Sequence, residues 1–148
     1  MPDPIRVMLL TAAGEPFLLG SYERAFRRLG CQVHTWDFEK AKARQARLGG
    51  FGRRFHEFVV VEPWLRRASR DLVVEVRRAK PDVVGVAATA LVTAGALAQI
   101  RASAPKTKLV LFWPDPLQNL GPHTVQALPM YDLVATYARS SVDPNTLR

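Results

Sequence analysis

Leu109-Val110-Leu111-Phe112-Trp113-Pro114-Asp115 decides how this chain is read. Five apolar residues follow one another and then end in a proline and a carboxylate. A short continuous apolar run with a breaker behind it is the pattern of a strand buried on both faces, as in a parallel sheet. Such a strand delivers Trp113, Pro114 and Asp115 to the sheet's carboxyl edge. In open α/β sheets that edge is where ligands bind.

Four further stretches read as companion strands. Ile5 to Leu10 and Val83 to Ala88 are apolar throughout or nearly so, Gln32 to Phe38 alternates, and Asp132 to Thr136 is short. Between them lie segments of helical character. Leu19, Tyr22, Ala25, Phe26 and Leu29 recur at helical spacing, with Gly20 or Ser21 as a candidate cap and Gly30 as a left-handed terminator. Glu39 to Arg47 favours helix, and three glycines at 49, 50 and 52 interrupt it. Trp64 to Ala79 carries an inner stripe of Leu65, Ala68, Leu72, Val73 and Val76, with Pro63 in its first turn. Leu91 to about Ala104 is the next helix, closed by Pro105. Residues 115–126 read as loop, and Ser140 onward could open another helix.

Strands alternating with helices predict an α/β fold, a Rossmann-like doubly wound parallel sheet of about five strands in three α/β/α layers. The expected strand order is 3-2-1-4-5, which puts the crevice between the ends of the first and fourth strands. Ala13, Gly14, Glu15 and Pro16 would face it from one side, and Trp113, Pro114 and Asp115 from the other, with Thr89 and Ala90 further along.

The bulk properties bound the rest. With 148 residues the chain suits one domain. No apolar run approaches the roughly 18 residues that span a bilayer, and no basic-then-apolar leader opens the chain. Cys31 is the only cysteine, so no internal disulfide forms and a reducing, cytoplasmic setting is expected. The net charge of +8 has a definite location, because Lys40 to Lys80 holds twelve basic and four acidic residues while the remainder is neutral. Such a segment is either a solvated helical face or a surface for a polyanionic partner.

Several chemistries are disfavoured. The first turn has Gly14 and Gly20 but not the three spaced glycines of a dinucleotide fingerprint. No Gly-x-Ser-x-Gly elbow and no phosphate loop occur. The third strand ends Ala88-Thr89 without the aspartate of a phosphorelay receiver. His34, His56 and His123 lack ligand spacing, so neither a metal nor a cofactor is expected. The carboxyl edge itself remains. Gly14 lets a ligand approach the backbone or makes a plain β-α turn, Trp113 offers a ring for a sugar or base or closes the core, and Asp115 is a candidate general base or sugar ligand or a cap for the next segment. A buried carboxylate at that place would be costly unless paired or used.

Leu29-Gly-Cys-Gln-Val, Lys80-Pro-Asp-Val-Val-Gly-Val, Lys108-Leu-Val-Leu-Phe-Trp-Pro-Asp-Pro and Tyr131-Asp-Leu-Val-Ala-Thr occur in an order and spacing that resembles the N-terminal half of a two-domain GT-B glycosyltransferase, most like the spore-maturation CgeB-like group. The resemblance covers nearly the whole chain. It implies a domain that holds a sugar, glycan or lipid-linked acceptor and faces a C-terminal nucleotide-sugar-binding domain. It implies Asp115 as the catalytic candidate and Gly14, Glu15, Trp113 and Pro114 as substrate-binding candidates, and the place of Thr89 on the same edge adds it to them. These residues contain one such domain where the family has two, so the chain alone is expected to have little activity.

The basic segment supports a second expectation. Arg47, Phe51, Arg53, Arg54, Phe55 and Phe58 interleave basic and aromatic residues, and Arg66, Arg67 and Arg70 continue the charge. That mixture suits an anionic membrane surface, with peripheral attachment, or less readily a nucleic acid. On that view the chain is a non-catalytic α/β binding module.

Overall fold

The computed structural model describes residues 3–11, 16–38, 40–41, 62–87, 90, 92–115 and 119–136. The elements are β1 (Arg6–Thr11), α1 (Pro16–Arg28), β2 (Gln32–Asp37), α2 (Glu62–Ala79), β3 (Val83–Ala87), α3 (Ala94–Ser103), β4 (Lys108–Phe112), α4 (Pro122–Ala127), a 3-10 turn (Leu128–Met130) and β5 (Leu133–Ala135). All five strands run parallel in one sheet. The α/β, Rossmann-like class read from the alternation of elements is what the chain adopts.

The strand order is β2-β1-β3-β4-β5, not 3-2-1-4-5. After β2 the chain crosses back over β1 and pairs on its free side, so the switch point lies between β1 and β3. The reason is in the strands themselves. Val84, Gly85 and Val86 of β3 are all buried, as are Val7 to Leu10 of β1, whereas Gln32, His34 and Thr35 of β2 are exposed. A strand apolar on both faces needs neighbours and cover on both sides, and a strand carrying polar residues belongs at the edge.

Alternation assigns the two faces. Met8, Leu10, Val84, Val86, Leu109, Leu111 and Trp113 form one core with Ala68, Leu72, Val73 and Val76 of α2 and Leu97 and Ile100 of α3. The opposite face carries Leu9, Gly85 and Phe112, and α1 covers it through Tyr22, whose ring stacks on Phe112 at a centroid distance of 4.6 Å, and Phe26, edge-on at 6.3 Å.

The helix ends follow local chemistry. Gly30 adopts φ +80, its N–H donates to the Arg27 carbonyl at 3.0 Å, and the Cys31 N–H donates to the Phe26 carbonyl at 3.0 Å, which is the Schellman pattern. The opposite end of α1 differs from expectation. The helix begins at Pro16, so Gly20 and Ser21 lie inside it rather than capping it. Residues 122–127, read as loop, form α4 for the same reason, since Pro122 opens a helix where the missing N–H costs nothing.

The amino edge is fastened by two matching clasps. The Asp82 N–H donates to the Arg6 carbonyl and the Arg6 N–H donates to Asp82 Oδ2, both at 2.8 Å. Two strand pairs further on, the Asp132 N–H donates to the Leu109 carbonyl and the Leu109 N–H donates to Asp132 Oδ2, again at 2.8 Å each. Each aspartate stands immediately before its strand and satisfies an N–H of the neighbouring one. Arg6 also reaches Asp82 at 3.3 Å, and Arg101 reaches Asp132 at 3.2 Å. The backbone N–H of Arg6 and then its side chain hold the Asp82 carboxyl below its ordinary range. The Leu109 N–H, aided by Arg101 and Lys108, does the same for Asp132 against the opposing effect of desolvation.

Candidate functional site at the carboxyl edge

β4 brings its tail to the carboxyl edge as its sequence demands, but the three residues there differ in environment. The Trp113 N–H continues the ladder to the Ala135 carbonyl at 2.8 Å, and its ring lies in the core at 8% exposure. Pro114 is half-buried. Asp115 is exposed in a bend. Its carboxylate stands in water, so the cost of burying an ion, which the sequence raised as a reason for pairing or use, does not apply to it.

Two carboxylates follow strands on this edge among the described residues. Asp37, at the end of β2, accepts the Lys40 N–H at 3.0 Å and so caps the helical turn that begins after it. Asp115, at the end of β4, has no hydrogen-bond or ion-pair partner among the described residues. Gly14, Glu15, Thr89, Arg47, Arg53 and Arg54 lie outside the described residues, as do Phe51, Phe55 and Phe58.

The helices place a second group of side chains on the same edge. In a parallel sheet each crossover helix starts where the preceding strands end, so α2 and α3 both begin here. Arg66, Ser69 and Arg70 stand at helical spacing on one side of α2. After β3, the Ala90 N–H turns back to the Ala87 carbonyl at 2.9 Å, and Thr93 caps α3 by accepting the Ala96 N–H at 3.2 Å. Between α2, the first turn of α3 and α4 lies a cavity of about 440 Å³. Arg66, Ser69, Arg70, Thr93, Gly95 and His123 line it, with no acidic residue among the described residues that do. Gln99 and Gln126 add amide groups to the wall.

Arg66 and Arg70 therefore line a concavity, whereas Arg67 is exposed on another side of the same helix. The basic run in the sequence conceals this division. Ser69, Gly95, His123 and Gln126 carried no signal of their own, because only the packing of α2 on α3 and α4 brings them together with Thr93. The cap at Thr93 was the one readable clue, a threonine before a helix that follows a buried strand.

Among the described residues no group of three or more His, Cys, Asp or Glu side chains is placed to hold a metal ion, and no helix is long and apolar enough to cross a membrane. The chain matches no family model and no curated protein. Among solved structures it is similar to a protein assigned to pilus assembly (CpaE) from Burkholderia thailandensis E264, with 11% identity and a TM-score of 0.44, over 97% of this chain and 91% of that one.

Proposed function

We propose that this domain is the acceptor-side half of a nucleotide-sugar-dependent glycosyltransferase of the GT-B type, its carboxyl edge forming one wall of the interdomain cleft. The observation that carries the reading is the division of labour among the aspartates. Asp82 and Asp132 clasp strands at the amino edge and Asp37 caps a helix. Asp115 stands on the ligand-binding edge, exposed and without a partner among the described residues. Within the motif that resembles the transferases, it is the carboxylate to which the described residues give no structural task.

In the proposed reaction Asp115 accepts the proton of an acceptor hydroxyl as that oxygen attacks the anomeric carbon of the donor. The bond from that carbon to the nucleotide's phosphate oxygen breaks, and the nucleoside diphosphate leaves with the electron pair. The buried Trp113 anchors the tail that carries Asp115. Pro114 belongs to the acceptor wall on this reading; Gly14, Glu15 and Thr89, expected there from the sequence, lie outside the described residues. The donor's nucleotide falls to a second α/β domain.

The test uses the product of the full reading frame, assayed for consumption of nucleotide sugars. Asp115→Asn should lower turnover by roughly 100-fold or more, the usual contribution of a general base, with the melting temperature unchanged. Unchanged turnover removes Asp115 from the mechanism. A full-length protein that consumes no nucleotide sugar overturns the transferase reading itself.

A further inference from the structure

We infer that the cavity between α2, α3 and α4 binds a phosphate monoester of a small molecule, its phosphate seated on the amino end of α3 beside Arg66 and Arg70. The assignment stands apart from the transferase reading and uses none of its residues.

Three independent features converge on the same space. The first is the end of α3. Thr93 Oγ satisfies the Ala96 N–H, but the N–H groups of Ala94 and Gly95 have no carbonyl within the helix to bond, and they carry the positive end of the helix dipole. Phosphate is the ligand such an end is suited to hold. The second is charge. Arg66 and Arg70 are one turn apart on α2 and both line the cavity, and among the described residues no carboxylate lines it. Guanidinium forks match phosphate oxygens in geometry.

The third feature is Ser69. Its residue is only 5% exposed and lines the cavity, yet its hydroxyl has no hydrogen-bond partner among the described residues. A buried hydroxyl left unpaired is costly, and in a folded protein it marks a missing ligand or solvent partner. Ser69 sits between the two arginines in sequence and on their side of the helix, where a phosphate oxygen would accept its proton. The volume argues for more than inorganic phosphate. About 440 Å³ falls in the range of roughly 300–1,000 Å³ that small-molecule sites occupy. Gln99, Gln126 and His123 supply polar groups for the rest of the ligand. A flat membrane surface would not need a concave site with a helix end at its base.

The glycine provides a clean perturbation. A Cβ added at Gly95 would meet no atom within 4 Å, so a side chain fits there and projects into open space. Gly95→Asp puts a carboxylate in the first turn of α3, which favours the helix and repels a bound anion. Binding of inorganic phosphate and of a hexose phosphate to the 148-residue chain would be measured by calorimetry at low ionic strength, with chloride as the control. The hexose phosphate should bind more tightly than inorganic phosphate. Arg70→Gln should weaken both by at least tenfold, the usual worth of one charge-assisted hydrogen bond. Gly95→Asp should abolish both while the melting temperature holds or rises. Binding that survives Gly95→Asp, or no binding in the parent chain, overturns the site. Equal affinity for the two probes overturns the organic ester. Binding to phosphatidylserine vesicles that is lost in Arg70→Gln, without binding of the hexose phosphate, overturns it in favour of a lipid surface.

Discussion

Gly85 offers the sharpest test of how the sheet carries α1. It lies in β3, paired with Leu9 on one side and Val110 on the other. A Cβ built there would stand 2.6 Å from Phe112 Cε2 and 2.9 Å from Leu9 Cδ2, distances that real Cβ atoms do not show. The Leu9 contact is the end of a flexible side chain and can yield. The Phe112 ring is less free, because Tyr22 stacks on it and Phe26 meets its edge. Overpacking of this kind costs roughly 1–3 kcal/mol. Disturbing the aromatic pairs adds about 0.5–1.5 kcal/mol. Removing a glycine from a strand interior recovers roughly 0.5–1 kcal/mol. Gly85→Ala should therefore destabilise by about 1–3 kcal/mol, or about 3–10 °C in melting temperature at this size. Phe112→Leu separates the causes. It removes Cε2 and leaves the Cδ position, whose ring counterpart is 3.5 Å from the added Cβ, an ordinary contact. In that background Gly85→Ala should be nearly neutral, giving a coupling of about 1 kcal/mol or more in a double-mutant cycle followed by urea denaturation. An equal cost in both backgrounds, or no cost in the parent, would refute the reasoning. The outcome bears on function, since Phe112 is the residue before Trp113, Pro114 and Asp115.

Two further outcomes follow from the core and the clasps. Leu97→Ala empties a fully buried position between α3 and the sheet and should cost about 2–5 kcal/mol, read as a lower urea midpoint with the slope unchanged. Asp82 and Asp132 both have folded-state affinities for protons below the ordinary aspartate value of about 3.9. Their contribution is thus complete above that value and is lost as pH falls through it toward the lower folded pKa. Melting temperature should drop steeply below about pH 4 in the parent chain. Asp132→Asn should melt lower at pH 7, with the gap to the parent narrowing as pH falls below the ordinary aspartate value, and a gap constant across that range would show the carboxylate's charge to be irrelevant.

Much of the fold was legible because its signals are local. Apolar runs marked the strands to within a residue or two, and Gly30 marked the end of α1 through a backbone conformation that favours glycine. The strand order was not local information in the same sense. It depended on which side of β1 the third strand returns to, although the exposed Gln32, His34 and Thr35 of β2 already disfavoured an interior place for that strand. The short α4 escaped because Gly121 and Pro122 were read as breakers, whereas a proline just inside a helix start is a helix signal. The cavity was illegible for a different reason. Arg66 and Arg70 were visible only as charge, and Ser69 and Gly95 belong to helices that meet through packing alone.

The position of an aspartate relative to its strand sorts its role in this sheet. Pro81-Asp82-Val83-Val84 and Tyr131-Asp132-Leu133-Val134 put the carboxylate before the strand, at the edge where the neighbouring strand begins with an N–H in need of an acceptor. Any parallel strand pair presents that need, whatever the protein does, so these two motifs speak for the sheet and not for a reaction. Trp113-Pro114-Asp115 puts the carboxylate after the strand, where the ladder needs no side-chain acceptor. Asp37 occupies the equivalent place on β2 and turns inward on its own chain to cap a helix. Asp115 stands exposed in a bend directly behind β4, with no partner among the described residues. The proposed chemistry rests on this motif alone, and Asp115→Asn is therefore the substitution that separates a transferase wall from an ordinary strand end.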